Sequence, residues 1–259
     1  MEKRTVIFYT DEQNDEFSTM QLTPPVIDAR YVYIDDTKKK RICRTLLYRL
    51  VAYPAAFLYS KLVFHRKIVG KDKLKPFKGT GYFLYGNHTQ PTGDALMQAC
   101  VASPDSTYVI VHPNNLAIPV IGRFTPALGA LPLPGDMASY RAFKKAIAQR
   151  VEEGHPIVIY PEAHIWPYYT KIRPFPDTSF SYPAEQGRPA FCFVNTYQKR
   201  LFGKRPRIVT YVEGPFYPDP ALPPRTARAD LRDRVFAAMT ELSRRSTVEH
   251  IKYVKKGSE

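Results

Sequence analysis

Cysteine is scarce in this chain. Cys43, Cys100 and Cys192 are odd in number, far apart, and lack the short paired spacings of zinc or thiol-redox sites. That excludes a disulfide framework and points to a reduced, cytosolic compartment. The opening segment, MEKRTVIFYTDEQNDEFS, turns acidic and polar after a few apolar residues, so it offers no signal-peptide core and predicts a protein retained inside the cell. No recognition helix, zinc spacing or aromatic sheet motif of a nucleic-acid module is present, so no nucleic-acid partner is expected. No Gly-rich phosphate loop appears, which argues against nucleotide or nicotinamide cofactors. His65, His88, His112, His155, His164 and His250 are scattered, and no metal site is predicted. A Gly-x-Ser-x-Gly elbow is also missing, which weakens the case for a serine hydrolase. Internal repeats and low-complexity tracts are absent.

Long apolar runs are missing too. Residues 38–66, KKKRICRTLLYRLVAYPAAFLYSKLVFHR, are apolar and aromatic but broken by Arg44, Arg49 and Lys61, leaving eleven uncharged residues between the last two. A bilayer-crossing helix needs about 20. The segment therefore predicts an interfacial helical element, with basic residues at acidic headgroups, Leu46, Leu47, Leu50, Val51, Phe57 and Leu58 in the acyl boundary, and Pro54 kinking or dividing the helix. A helical hairpin packed on the protein's own core is the other reading. Residues 1–37 stand before it as an N-terminal extension.

What is present is positive charge, +14 net, which favours anionic partners such as lipid headgroups or phosphorylated substrates. The 259 residues, 44% hydrophobic, suffice to bury a core as one domain. After Gly70 short apolar runs alternate with helical stretches, the pattern of an α/β fold: a mixed, mostly parallel sheet layered with helices. Strands are predicted at 82–85, 108–111, 129–133, 157–160, 191–195 and 207–212. Helices are predicted at 92–101, at 137–153 with Gly154 as its stop, and at 227–245, where Leu231, Val235, Met239 and Leu242 share one face. The 24 prolines exceed the roughly 5% of an average chain. They cluster in loops, which predicts stiff walls around the sheet rather than a mobile lid.

One segment carries chemistry. YFLYGNHTQPTGDALMQ places His88 on the turn leaving a strand and Asp94 at the start of a helix, with Pro91 suited to that helix's first turn. A carboxylate on one imidazole nitrogen fixes the tautomer and stabilises the imidazolium, leaving the other nitrogen as a base for a hydroxyl nucleophile. Glu162 likewise follows a strand, and neighbouring parallel strands put such residues on one rim. It is either part of the site or a structural carboxylate tied to backbone or arginine.

These residues lie in blocks with a familiar order. GNHTQPTGD resembles the first motif, IPVIGRFTPALGALPLPGD the second, VIYPEAHIWP the third, and RPAFCFVNTY with RIVTYVEGPFYP the fourth region of the glycerolipid acyltransferases typified by lysophosphatidate acyltransferase. The resemblance spans about residues 66–220 and implies that residues 67–259 form an acyltransferase domain. It implies an O-acyltransferase that moves a fatty acyl group from acyl-CoA or acyl carrier protein, as substrate rather than cofactor, to the hydroxyl of a lysolipid. The expected setting is the cytoplasmic face of an anionic membrane, with peripheral or monotopic attachment and acyl carrier protein docking as a further expectation. Carried across by position, His88 is the general base, Asp94 orients it, Glu162 belongs to the acceptor site, and Gly86 and Asn87 shape the turn.

Three departures bear on the acceptor. His88 and Asp94 enclose five residues, one more than the family motif. Where the third motif has Pro-Glu-Gly-Thr-Arg, Ala163, His164 and Ile165 follow Glu162. Where the second motif ends in arginine, Leu133, Pro134, Gly135 and Asp136 stand. The phosphate-binding arginines are thus missing, and Arg123, Arg141, Lys171 or Arg173 are candidates to replace them, or else ordinary surface charges. An acceptor other than lysophosphatidate is expected, with His164 and Trp166 lining the altered pocket; packing explains Trp166 equally well. A (thio)ester hydrolase using the same histidine and a catalytically silent membrane-binding relative are the alternatives.

Overall fold

A central sheet of seven strands organises the molecule, whose computed structural model describes residues 5–17, 22–35, 37–102, 107–203 and 205–257. In chain order the strands are β1 (Thr5–Tyr9), β2 (Lys67–Val69), β3 (Phe83–Gly86), β4 (Tyr108–Val111), β5 (Ala130–Pro132), β6 (Ile157–Ile159), β7 (Ala190–Gln198), β8 (Arg207–Phe216) and β9 (Ile251–Lys255). The helices are α1 (Lys38–Leu47), α2 (Tyr53–Phe64), α3 (Asp94–Ala102), α4 (Met137–Glu152), α5 (Ser181–Gln186) and α6 (Pro224–Ser243). The large sheet runs β2-β8-β7-β3-β6-β4-β5, with every neighbouring pair parallel except β7 with β8. This is the mixed, mostly parallel α/β sheet that the alternating pattern predicts.

The central strands read as unbroken apolar runs because both of their faces are covered. On one face Phe143, Ile147 and Val151 of α4 and Leu231, Val235, Met239 and Leu242 of α6 pack on Phe83, Tyr85, Ile157 and Cys192. On the other, Leu74 and Val101 meet Leu84, Val158, Phe191 and Phe193. A smaller cluster of Phe64, Met97, Tyr197 and Ile208 locks α2 and α3 to the far ends of β7 and β8. The predicted helices are present with shifted ends. The one expected at 92–101 begins at Asp94, because residues 91–93 form a turn, so Pro91 lies ahead of the helix rather than in its first turn. The one expected at 227–245 begins at Pro224, a residue suited to a first helical turn.

Residues 38–64 form one continuous helical rod, α1 joined to α2 by a π-helical turn at Tyr48–Ala52. Pro54 does not break it. Proline lacks the N–H that would bond back to residue 50, and the ladder has already shifted to the wide π spacing, with Tyr53 N–H bonded to the Tyr48 carbonyl. Tyr48, Ala56, Ser60 and Phe64 face inward, while Ile42, Leu46, Leu50, Val51, Phe57, Leu58 and Leu62 are exposed. Leu47, expected on the outer face, is half-buried. Among the described residues no helix is long and apolar enough to cross a membrane.

The first and last strands are among the elements that the sequence analysis does not predict. β1 and β9 pair in parallel as a separate two-stranded sheet, Thr5 opposite Ile251. Tyr9, Phe17 and Tyr253 from this region pack around Trp166, whose indole stacks on Tyr253 at 5.0 Å and donates to the Asp15 carbonyl. Trp166 is therefore a core residue, as the packing alternative held.

Candidate active site

The site grows from the end of β3. A Cβ at Gly86 would sit 2.2 Å from the ring of Phe193 on β7, so glycine leaves the room that the buried ring occupies. Asn87 then fastens the turn: its amide donates to the Asn195 carbonyl at 3.1 Å and accepts the Asn195 N–H at 2.8 Å. The next residue, His88, leaves the sheet with its backbone N–H bonded to Glu162 Oε2 at 3.0 Å.

Asp94 turns back onto this loop. Its Oδ2 lies 2.9 Å from His88 Nδ1 and also accepts the N–H groups of Thr89 and Gln90 at 2.8 and 2.9 Å. The extra loop residue is absorbed in the turn before α3, closed by the Asp94 N–H on the Gln90 carbonyl. With Nδ1 donating to the carboxylate, Nε2 keeps its lone pair and makes no hydrogen bond among the described residues. The imidazole is 17% exposed and lies flat on Tyr160 at 4.4 Å. Tyr160 is pinned by its hydroxyl to the Asp94 carbonyl at 2.8 Å, and burial pushes its phenol well above the usual range. These contacts leave the ring little freedom other than to present Nε2.

A buried polar chain runs beneath the pair. Asn195 Nδ2 faces Asp94 Oδ1 at 3.4 Å, Thr210 donates its hydroxyl to Asn195 Oδ1 at 2.7 Å, and Arg66 Nε donates to Thr210 Oγ1 at 2.8 Å. Arg66 also holds the Met97 carbonyl of α3 at 2.7 Å, so the residue that follows the α2 cap is tied to the helix bearing Asp94. Burial pushes Arg66 down to about 10, opposed by the field of Cys100, Tyr160 and Asp94. Sequence reasoning missed Arg66, Thr210, Tyr160 and Asn195 as site residues. A signal for one of them existed: Asn195 and Thr196 are the polar interruption in an otherwise buried apolar strand.

Glu162 is fully buried, and both of its oxygens are engaged. Oε1 accepts the Arg173 N–H at 2.9 Å and Oε2 the His88 N–H, while the Arg173 guanidinium lies 3.6 Å away, also buried. Burial raises Glu162, against the opposing pull of Arg173 and the two backbone bonds. Its contacts are those of a clamp between the first and third motif loops, reinforced by Trp166 N–H on the His88 carbonyl and Tyr168 N–H on the Thr89 carbonyl. Arg173 is thereby turned inward, bonded to the carbonyls of Glu12, Glu162 and His164. His164 is half-buried beside Glu16. Arg123, Arg141 and Lys171 are exposed and make no hydrogen bond or ion pair with His88 or Asp94. Two clefts elsewhere, of about 850 Å³ between α5 and α6 and about 380 Å³ beside Lys71 and Lys75, are not lined by His88, Asp94 or Glu162.

A histidine held by a buried aspartate at a strand end has the geometry that base-assisted acyl transfer to a hydroxyl requires. The family model described as Acyltransferase matches residues 65–191, which contain His88, Asp94 and Glu162. Over these residues the chain carries an acyltransferase domain. The acyltransferase shares its fold with the crystal structure of the 1-acyl-sn-glycerophosphate (LPA) acyltransferase, PlsC, from Thermotoga maritima. The TM-score is 0.57 at 13% identity, over 84% of this chain and 87% of that one. Comparison with curated protein sequences finds no match.

Proposed function

We propose that this acyltransferase moves a fatty acyl group from acyl-CoA or acyl carrier protein to the hydroxyl of a lysophospholipid at an anionic membrane surface. The observation that carries this is the 2.9 Å contact of His88 Nδ1 with Asp94 Oδ2, which leaves Nε2, on a partly exposed ring, without a hydrogen bond among the described residues. Nε2 takes the hydroxyl proton as the oxygen attacks the thioester carbonyl, and the buried carboxylate stabilises the imidazolium that forms. Collapse of the tetrahedral intermediate breaks the carbon–sulfur bond, and the imidazolium returns the proton to the departing thiolate. The exposed apolar side chains of α1 and α2, flanked by basic residues, support a peripheral or monotopic contact with the cytoplasmic membrane face.

The acceptor headgroup is proposed to differ from that of lysophosphatidate. The motif positions that carry arginine in the family hold other residues here, and Arg173, the cation beside Glu162, is turned into the protein. The test is an acceptor screen with labelled acyl-CoA, run beside His88→Ala. Acceptor-dependent thiol release that disappears in the variant is expected. Thiol release without any acceptor would replace this reading with a hydrolase, and turnover of lysophosphatidate alone would overturn the acceptor assignment.

A further inference from the structure

β7 does not stop at the rim of the sheet. Phe193 pairs with Gly86, the last residue of β3, and the strand continues through Gln198 alongside β8. The five additional residues carry the hairpin about 16 Å past the end of β3, on the edge where His88 leaves the sheet. At its tip Leu201 is 95% and Phe202 88% exposed. They are flanked by exposed Lys199, Arg205 and Arg207, and no acidic residue occurs from 188 to 212.

The tip is not isolated. Arg200 donates to the Val63 carbonyl in the last turn of α2, which joins the hairpin to the helix surface where Leu58 and Leu62 are also exposed. Residues 38–66 likewise contain no acidic side chain. An uncovered leucine and phenylalanine in water are unfavourable unless something apolar receives them, and a ring of cations around them selects a surface that is apolar within and anionic outside.

We infer that the β7–β8 hairpin tip is a second membrane anchor, inserting Leu201 and Phe202 into an anionic phospholipid bilayer while Lys199, Arg205 and Arg207 meet its headgroups. This rests on the membrane-surface reading above and extends it to a segment outside the α1–α2 rod. Two anchors, one beside the α2 cap and one above the β3 end, fix the depth and tilt of the protein. The rim bearing His88 is thereby held at the headgroup level, where a lysolipid hydroxyl lies.

The experiment uses the full chain and vesicles of equimolar phosphatidylcholine and phosphatidylglycerol, with pure phosphatidylcholine for comparison. Trp166 is the only tryptophan and is buried, so a Phe202→Trp variant adds a reporter over a fixed background. Its emission is expected to move to shorter wavelength on the anionic vesicles and to be quenched by brominated acyl chains. A Leu201→Ser/Phe202→Ser variant is expected to lose at least about tenfold in vesicle partition, with activity on detergent-dispersed acceptor unchanged. Wild-type vesicle binding combined with an unshifted reporter and undiminished partition of the serine variant would overturn the hairpin anchor and leave the membrane reading standing. Failure of the wild type to bind either vesicle would overturn both. A reporter shift produced by an acidic carrier protein or by self-association, and not by lipid, would overturn the lipid assignment.

Discussion

Replacing Asp94 by asparagine probes the His88 pair without emptying its site. Oδ2 accepts from the imidazole at 2.9 Å and from two backbone N–H groups at 2.8 and 2.9 Å, while Oδ1 faces the Asn195 amide nitrogen at 3.4 Å. An asparagine carbonyl in the Oδ2 position keeps all three acceptor contacts but sets two amide donors against each other at Asn195. The reverse orientation deprives three donors of their acceptor, so the first is preferred. The loop then keeps its shape, and the main loss is the negative charge that stabilises the imidazolium. A fall in kcat of about 10³-fold is expected, roughly 4 kcal/mol of transition-state stabilisation. The KM for acceptor is expected to stay near wild type because Asp94 is buried. Folding stability falls by about 1–3 kcal/mol, for the weakened bonds and the opposed donors. Acceptor-dependent thiol release measures the rate, and urea unfolding confirms that the variant is folded. A folded Asp94→Asn protein with kcat close to wild type would refute the histidine-base mechanism.

Three further outcomes follow from the same geometry. Ala163 sits at φ 62 where the family motif has glycine, so Ala163→Gly is expected to stabilise by about 0.5–1 kcal/mol, the relief of a left-handed alanine less the added freedom of the unfolded chain; calorimetry should show a rise in Tm of about 2 °C. Arg173→Met leaves Glu162 buried without its cation and is expected to lose about 3–5 kcal/mol at neutral pH. The raised Glu162 contributes stability that is fully present below its ordinary 4.5 and is lost as pH rises through its raised value, and removing Arg173 raises it further; the deficit relative to wild type must therefore grow from acid to neutral pH in unfolding measurements, and a pH-independent deficit would contradict the clamp. Asn195→Ala strands the Thr210 hydroxyl and Asp94 Oδ1, so about 1–3 kcal/mol of stability is expected to be lost in urea titrations, together with a fall in kcat as Asp94 loosens.

The sheet was legible wherever helices cover both of its faces, because that burial writes continuous apolar runs into 108–111, 157–160 and 191–194. β2 escaped notice for lack of length, having three residues on an edge. The pair of β1 and β9 escaped because it joins segments nearly the whole chain apart, each only five residues long. At the site, His88 and Asp94 were visible as residue types at a turn and a helix start. Glu162 was visible as a carboxylate, but its engagement with the His88 and Arg173 N–H groups was not.

Periodicity alone gave the α/β class, the resemblance of four ordered motifs implied the acyltransferase family, and residue types at near-neighbour spacing marked the histidine–aspartate pair. Only the tertiary structure decided that a longer loop still closes Asp94 onto His88, that Arg173 faces inward, and that Arg66, Thr210 and Asn195 reach the pair from three separate elements. The physical reason is that a hydrogen bond depends on position to within a few tenths of an ångström. For residues 15 to 144 positions apart, that position is set by the packing of α2, α3, β7 and β8 rather than by any local preference of the chain.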